Sequence, residues 1–306
     1  MNRRKILALL SAAAVVGSLA ACGTSAPASS AASGSASSTA AASASGSAER
    51  TTFTVGFDAE YPPYGYKADD GSYVGFDLDL AQEVCDRNGW ELVRQPIDWN
   101  SKDMELDAGN IDCIWNGFTM TGREDSYTWV GPYVNNSIVF VVNADSGITD
   151  ASELAGRPVI TQSGSSALTA LTDDPGDGSN DENLTLAASF SALDEVPDYN
   201  TAFMNLESGV DDAIAVDIGV ANYQLKTRGS DKFVMLEKPL STEQYGIGFK
   251  KDNTELADQV KATLDEMLAD GTFTKIATAA AENYDAPELA GVRWHGGMNR
   301  PNLGGG

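Results

Sequence analysis

The chain of 306 residues has few of the residues that catalytic and metal sites use most often. It contains one histidine, His295, and three cysteines, Cys22, Cys85 and Cys113. A histidine-based catalytic triad or a clustered metal site cannot be assembled from a single histidine, so we predict neither a metal nor a cofactor. In an exported protein Cys85 and Cys113 could form a disulfide or remain two buried thiols, and the sequence leaves both open.

Basic residues are also scarce, since 20 Lys and Arg stand against 44 Asp and Glu, for a formal net charge of −24. A chain this acidic would repel the phosphates of a nucleic acid, so we predict no nucleic-acid partner. The excess of acidic residues is typical of a well-solvated surface and says little about a ligand.

The sequence lacks an apolar run that could cross a membrane as a helix. Its clearest run, residues 6–16, follows three basic residues and is too short for about 30 Å of hydrocarbon. With the Leu19-Ala20-Ala21-Cys22 string that follows, it predicts an export signal over residues 1–21. That string resembles the lipobox of bacterial lipoproteins, which implies that Cys22 is lipidated and anchors the protein to the outer face of the cell membrane. An ordinary signal peptide, cut nearby, is the alternative.

After Cys22, residues 23–48 are only Gly, Thr, Ser, Ala and Pro, with no charge and no large apolar side chain. We predict a disordered tether over residues 22–50, with an r.m.s. span of roughly 28 Å, before a folded part that begins near Thr51. The tail at 291–306 has little to bury and is predicted to be flexible.

Between these segments, hydrophobic periodicity alternates between strand and helix. The pattern predicts strands at 53–57, 90–95, 111–116 and 158–161, helices at 76–88, 101–108, 167–171, 256–267 and 273–280, a surface loop at 172–183, and a capping box of Asp252 and Glu255. Strands that alternate with helices in this way indicate an α/β fold with mainly parallel sheets.

One supersecondary unit occurs twice, since residues 105–114 and 205–214 match at a Leu, a Gly, an Asp and an Ile. Each copy indicates a helix that ends at a glycine, followed by a buried strand. We therefore predict two similar lobes. The offset of one hundred places Asp217 opposite Gly117, just past the carboxyl end of each strand, where open α/β sheets bind ligands.

The strand that begins at Ile111 leads through Gly117 to Arg123, among aromatic residues. A guanidinium forks onto both oxygens of a carboxylate, so Arg123 suits recognition of a carboxylate that many ligands share. The alternative is a surface turn with an Arg123–Glu124 ion pair. Ser165 and Ser166 open a predicted helix, where an anion could also dock.

Together these motifs resemble the extracellular solute-binding proteins, family 3, of ABC importers for polar amino acids. The resemblance covers about residues 53–284 and is carried by 58–64 (DAEYPPY), 74–81 (VGFDLDLA), 117–123 (GFTMTGR), 162–166 (QSGSS), 215–217 (AVD) and 246–256 (GIGFKKDNTEL). It implies a two-lobed, type II periplasmic-binding-protein-like fold, with a hinge of two strands near 134–137 and 239–244. Lobe 1 would comprise 51–134 plus 244–290, and lobe 2 would comprise 137–239.

Carried over residue by residue, the resemblance implies that Arg123, Thr119 and Ser166 hold the α-carboxylate and that Asp217 pairs with the α-ammonium. The remaining ligand-binding positions implied are Asp58, Tyr61, Trp99, Asn116, Gly117, Gln162 and Ser165. One departure concerns the arginine: the family usually has two residues between Thr and Arg, whereas Gly122 alone separates Thr121 from Arg123.

The function implied is capture of a free polar amino acid in a cleft, without catalysis, by a monomer that delivers it to a membrane permease. Asp58 between two aromatic side chains favours a cationic ligand. None of the five positions that the resemblance places around the ligand's side chain is basic: Asp58, Tyr61, Trp99, Asn116 and Gln162. A neutral polar amino acid such as glutamine is the alternative ligand. A dehydratase-like enzyme on the same fold is the alternative function, with Asp58 and Glu60 as the acid and base.

Overall fold

The structure, a computed structural model, describes residues 50–294. The predicted leader, Cys22, most of the tether, His295 and most of the tail lie outside the described residues, so the predictions on them stay predictions. Within 50–294, no helix has the length and apolar character that a membrane crossing requires.

The described chain alternates strands and helices as the periodicity predicts. The strands are β1 (Thr52–Phe57), β2 (Glu60–Tyr61), β3 (Gly65–Lys67), β4 (Tyr73–Val74), β5 (Glu91–Pro96), β6 (Cys113–Thr119), β7 (Thr128–Asn143), β8 (Pro158–Gln162), β9 (Ala192–Val196), β10 (Ala213–Asp217), β11 (Phe233–Met235) and β12 (Ser241–Phe249). The helices are α1 (Phe76–Asn88), α2 (Lys102–Ala108), α3 (Ser166–Thr172), α4 (Asp181–Ala188), α5 (Tyr199–Ser208), α6 (Ile218–Arg228), α7 (Thr254–Ala269) and α8 (Thr272–Asn283). Short 3-10 helices lie at Trp99–Ser101, Ala151–Leu154 and Pro287–Gly291.

Two parallel blocks of strands are joined by an antiparallel pair. The strand order is β5-β1-β6-β12-β7-β10-β8-β9, with β11 paired to β7. Strands β5, β1 and β6 are parallel, as are β10, β8 and β9, whereas β12 and β7 run antiparallel to their neighbours. Strand β7 pairs with β12 along its first half and with β10 along its second. This is the predicted mixed α/β architecture, with helices packed on the sheet.

The repeated unit is present in both halves. Helices α2 and α5 end at Gly109 and Gly209, whose φ angles of 74° and 72° are left-handed. The N–H of each glycine donates to carbonyls of the last turn, which satisfies groups that a helix end leaves open. Strands β6 and β10 follow, and every residue of both is buried. The carboxyl ends of these two strands define the site described below.

Two local predictions are wrong. Helix α4 begins at Asp181, inside the loop predicted at 172–183. The predicted capping box does not form, because Asp252 has a left-handed φ of 71° and Asn253 is the N-cap of α7, without a side-chain cap bond. Asp252 instead lies in a turn in which the Asn253 N–H donates to the Lys250 carbonyl at 3.0 Å.

Cys85 and Cys113 lie in one hydrophobic cluster, together with the buried aromatic side chains of β1 and α1. Both are free thiols, and burial raises the pKa of Cys85 to about 12. The alternative of two buried thiols is therefore the one that the structure supports.

Candidate functional site

The carboxyl ends of β6 and β10 meet at the crossing strands β7 and β12. Asn136 of β7 lies between two carboxylates, because its Nδ2 donates to Asp217 Oδ1 and to Glu243 Oε1, each at 2.7 Å. Asp217 ends β10 and is 2% exposed, and Glu243 of β12 is 7% exposed. Two acidic groups are thus held side by side in the interior, joined by one amide.

Asp217 is also surrounded by tyrosine hydroxyls. Tyr245 donates to Asp217 Oδ1 at 2.5 Å, and Tyr199 donates to Oδ2 at 3.5 Å. Burial is the largest cause that raises the pKa of Asp217, and the hydrogen bond from Tyr245 is the largest that opposes it. A carboxylate held in this way is oriented to accept a further donor such as an ammonium group.

Glu243 was not among the predicted site residues. Its Oε1 accepts from Thr119 Oγ1 at 2.8 Å and from Ser166 Oγ at 3.2 Å, besides Asn136. Burial, and then the charge of Asp217, raise the pKa of Glu243 to about 7. A sequence signal was present, since Glu243 shares the period-2 face of β12 with the buried Tyr245.

On the other side of the site, Asp58 follows β1 and connects the two blocks. Its Oδ2 accepts from Gln162 Nε2 at 2.5 Å, at the end of β8, and its Oδ1 accepts from the Glu60 N–H at 2.8 Å. Asp58 is 6% exposed, and burial raises its pKa to about 6. The predicted residues Asp58 and Gln162 are therefore in direct contact.

The two predicted aromatic residues are stacked. The rings of Tyr61 and Trp99 lie 6.5 Å apart between centroids at an angle of 9°. The Tyr61 hydroxyl lies 3.2 Å from that of Tyr245, so the aromatic wall extends to the partners of Asp217.

Arg123 is half-buried beside these groups, with its Nη1 donating to the Thr119 carbonyl at 3.3 Å. Its guanidinium lies 5.4 Å from the centroid of the Phe118 ring. The Arg123–Glu124 ion pair is not among the ion pairs formed within residues 50–294. Arg123 lines a cavity of about 330 Å³ together with Thr119, Ser166 and Glu243.

The family model of the bacterial extracellular solute-binding proteins, family 3, matches residues 53–280. The chain belongs to this family. The resemblance inferred from the motifs is thereby confirmed.

This family 3 protein is 28% identical over 230 residues to the L-cystine-binding protein TcyJ of Escherichia coli, which covers 74% of this chain and 80% of TcyJ. It is 28% identical over 292 residues to the glutamate-binding protein GluB of Corynebacterium glutamicum, which covers 90% of this chain and 89% of GluB. A crystal structure of an ABC uptake transporter substrate-binding protein from Streptococcus pneumoniae with bound histidine matches with a TM-score of 0.70 and 29% identity, over 78% of this chain and 94% of that one. The predicted type II fold is confirmed by this likeness.

Three of the predicted site residues of this family 3 protein form hydrogen bonds with nearby protein groups. Asn116 Oδ1 accepts from the Asp58 N–H at 3.0 Å, and Ser165 Oγ accepts from the Leu168 N–H at 3.1 Å as the N-cap of α3. The Gly117 N–H donates to the buried carboxylate of Asp77 at 2.7 Å. These groups fix the local backbone.

The family 3 protein also has a basic side chain beside the aromatic wall that the sequence analysis did not find. Lys102 is 6% exposed, and its Nζ lies 5.4 Å from the Trp99 ring centroid. The Nζ donates to the carbonyls of Gly164 at 3.2 Å and Trp99 at 3.3 Å. Burial lowers the pKa of Lys102. Its contact with Gly164, just after β8, adds to the contact of Asp58 with Gln162 at the end of β8, since both Lys102 and Asp58 precede β6.

Among the described residues, no group of three or more His, Cys, Asp or Glu side chains is arranged to hold a metal ion. The site offers carboxylates, hydroxyls, amides, aromatic rings and the two basic side chains of Arg123 and Lys102.

Proposed function

We propose that this solute-binding protein captures a free polar amino acid and delivers it to a membrane permease of the ABC class. The observation that carries the proposal is the buried Asp217, which is joined through Asn136 and Glu243 to the hydroxyls of Thr119 and Ser166. A zwitterion that leaves water needs a partner for each charge, because an unpaired buried ion costs several kcal/mol. The site offers an acid for the ammonium and hydroxyl donors for the carboxylate.

In this proposal Asp217 accepts from the α-ammonium, and Thr119, Ser166 and Arg123 hold the α-carboxylate. Arg123 lines the same cavity as both hydroxyls, which supports its assignment despite the missing residue after Thr121. Its guanidinium has a contact with a carbonyl and a ring, and a bidentate carboxylate would be a stronger partner than either.

The ligand's side chain is assigned to the region of Asp58, Tyr61 and Trp99. The ligands named for the similar proteins are cystine, glutamate and histidine, whose side chains differ in charge. The similarity therefore does not identify the side chain that this protein binds. The buried carboxylate of Asp58 favours a cationic side chain through an ion pair. The stacked rings of Tyr61 and Trp99 offer a cation–π contact, although Lys102 already lies over the Trp99 ring. A neutral polar side chain such as that of glutamine is second, because Gln162 and Asn116 supply amides.

We assign the two lobes to 51–134 plus 244–290 and to 137–239, with hinges at 134–137 and 239–244. Strand β7 passes between the parallel blocks, which supports the first hinge. The contact Asp58–Gln162 joins proposed lobe 1 to lobe 2, and the contact Ser166–Glu243 joins lobe 2 to the second hinge. Closure of the lobes would form both contacts.

The test of ligand capture is thermal unfolding against a panel of amino acids. A ligand at one hundred times its dissociation constant adds about 2.7 kcal/mol to the free energy of unfolding, which raises the melting temperature measurably. We expect the largest shifts from arginine, lysine, ornithine or histidine. A panel at millimolar concentration that leaves the melting temperature unchanged would refute the proposal.

We further propose that the protein is exported, monomeric and held at the outer face of the cell membrane through a lipid on Cys22. Its family is extracellular, and the Leu-Ala-Ala-Cys string supports the anchor. The variant Cys22→Ala should leave the membrane fraction or remain unprocessed, with amino-acid affinity unchanged. Lipid labelling that persists in this variant would show that the anchor is elsewhere.

A dehydratase-like activity is the second candidate. Burial raises the pKa of Asp58 to about 6 and that of Glu243 to about 7, which makes both groups able to exchange protons near neutral pH. Incubation with the amino acids of the panel, followed by mass spectrometry, should return them unchanged if the protein only binds. Dehydrated product that disappears in Glu243→Gln would establish the enzyme instead.

A further inference from the structure

Glu243 occupies donors that the proposed function assigns to the ligand. Its Oε1 accepts hydrogen bonds from three elements: Thr119 on β6, Asn136 on β7 and Ser166 at the start of α3. Two of these three donors, Thr119 and Ser166, are those proposed for the α-carboxylate. The carboxylate of Glu243 therefore makes the contacts that a ligand carboxylate would make.

We propose that Glu243 is a built-in competitor for the ligand's carboxylate, which sets the affinity of the site and takes up a proton from solvent when an amino acid binds. This inference rests on the proposed function and adds a residue that determines affinity. A serine or threonine hydroxyl has one hydrogen to donate, so Thr119 and Ser166 cannot each serve two carboxylates at once. The ligand and Glu243 must divide these donors, or Glu243 must become protonated and donate in turn.

The electrostatic surroundings favour protonation. The titratable and charged groups that face Glu243 or line its cavity are Asp217 on β10, Tyr64 after β2, Tyr199 on α5, Tyr245 on β12, and Arg123 and Asp173 around the cavity. Asp217 is the nearest acid, since the two share the Asn136 amide. In the proposed function the ligand's α-ammonium offsets Asp217, whereas its α-carboxylate lies against the same two hydroxyls as Glu243. A like charge at that range raises the pKa of Glu243.

The direction of the pH dependence follows from linkage. Burial already holds the pKa of Glu243 at about 7. If a ligand carboxylate raises it further, the complex binds more protons than the free protein, so the affinity falls as pH rises above about 7. Below that value Glu243 is protonated in both states and contributes no pH dependence. Because only one proton is taken up, the affinity can fall by at most about tenfold per pH unit.

The experiment is calorimetric titration of the full chain with L-glutamine and L-arginine at pH 7 and pH 8, in phosphate and in Tris. The wild type should bind about fivefold more weakly at pH 8 than at pH 7, and the two buffers should report net proton uptake. Glu243→Gln keeps the shape of the side chain without its charge. It should bind more tightly than wild type at pH 8, with less than twofold change between the two pH values and no proton uptake.

Glu237→Gln is the matched control, because it removes the same charge at an exposed position six residues earlier in the chain. It should behave as wild type. Glu243→Ala serves as a second variant if Glu243→Gln is unstable, and the melting temperature of each variant checks its folding. Glu243→Gln that binds no more tightly than wild type at pH 8, or wild-type affinity that does not change from pH 7 to pH 8, would overturn the inference. If neither the wild type nor Glu243→Gln bound any amino acid of the panel, the proposed function itself would fail, which is a different result.

Discussion

Strands β6 and β10 belong to the two copies of the repeated unit, but they differ at equivalent positions near their carboxyl ends: one has a charged side chain and the other has none. At the position where β10 ends in Asp217, β6 has Gly117. A Cβ at Gly117 would lie 2.9 Å from Tyr61 Cε1 and 3.0 Å from Tyr245 Cε2. The glycine thus leaves room for a tyrosine, Tyr245, whose hydroxyl donates to Asp217. The two ends are complementary, since the absence of a side chain at one lets the charged side chain at the other be satisfied.

The largest effect is expected from a substitution at the charged end, Asp217. Asp217→Asn should weaken amino-acid binding by about 2–5 kcal/mol, or roughly 30-fold or more, because the ligand's ammonium then enters a buried site without its counter-charge. Calorimetry measures the affinity, and circular dichroism checks the fold. The exposed Asp258 provides a charge-matched control, Asp258→Asn, which should bind as wild type. Equal affinities for the two variants would remove Asp217 from the site.

At the other end, Gly117→Ala should lower the free energy of unfolding by about 2–4 kcal/mol. The new methyl group meets both tyrosine rings, and φ at this position is 55°, which costs an L-residue further energy. Gly147→Ala is the control, because Gly147 has a φ of 73° with nothing within 4 Å of a built Cβ. It should lose only roughly 1 kcal/mol. Denaturant unfolding that gives equal losses for both would show that the tyrosines can move away freely.

Arg123, which follows Gly117 by six residues, is the residue that we propose for the ligand's carboxylate. Arg123→Ala should lose about 1.5–3 kcal/mol of binding free energy, and Arg123→Lys should recover little of it, because an ammonium cannot fork onto both oxygens. Calorimetry at pH 7 is the measurement. Binding by Arg123→Ala within twofold of wild type would mean that the residue missing after Thr121 has moved the carboxylate site away from this arginine.

The smallest effect is expected at Asp58, which we propose as the residue that selects the ligand's side chain. Asp58→Asn should lose about 1–2 kcal/mol for L-arginine and much less for L-glutamine. Since burial raises the pKa of Asp58 to about 6, arginine affinity should also fall as pH falls below about 6, while glutamine affinity stays level. A competition series at pH 5 and pH 7 measures both. A wild-type preference for glutamate would contradict the assignment of this pocket.

Much of this arrangement could be predicted from the sequence because the signals are local. The glycines that end α2 and α5, and the buried strands that follow them, lie within ten residues of one another in each repeat. Asp217 was located by that repeat alone. The pairing of Asp217 with an ammonium came from the resemblance. Arg123 was suggested first by the fork geometry of its guanidinium and then by the resemblance, and both roles stay predictions.

The contacts of Glu243 and Lys102 could not be predicted in the same way. Glu243 has partners 77, 107 and 124 positions away in sequence, and Lys102 contacts Gly164, 62 positions away. No pattern along the chain indicates that such residues will meet, and a charged residue in a strand or at a helix start is usually solvated. Asp252 shows the converse error, because a favourable local motif predicted a capping box where the chain forms a turn with a left-handed φ. The Asp252 N–H donates to Thr128 Oγ1 at 3.0 Å, a contact 124 positions away in sequence.

Strand β7 has a consequence for how the molecule unfolds and for how it can be engineered. Its residues 128–138 pair with β12, and 138–142 pair with β10, so one continuous strand supplies hydrogen bonds to both parallel blocks. Neither block can detach with its own complete set of strands, because the other would then expose an unpaired edge. We therefore expect hydrogen exchange to show β7 among the last amides to open, in a single cooperative transition. A chimaera that exchanges one block with a relative would have to cut within this strand and match its register on both sides.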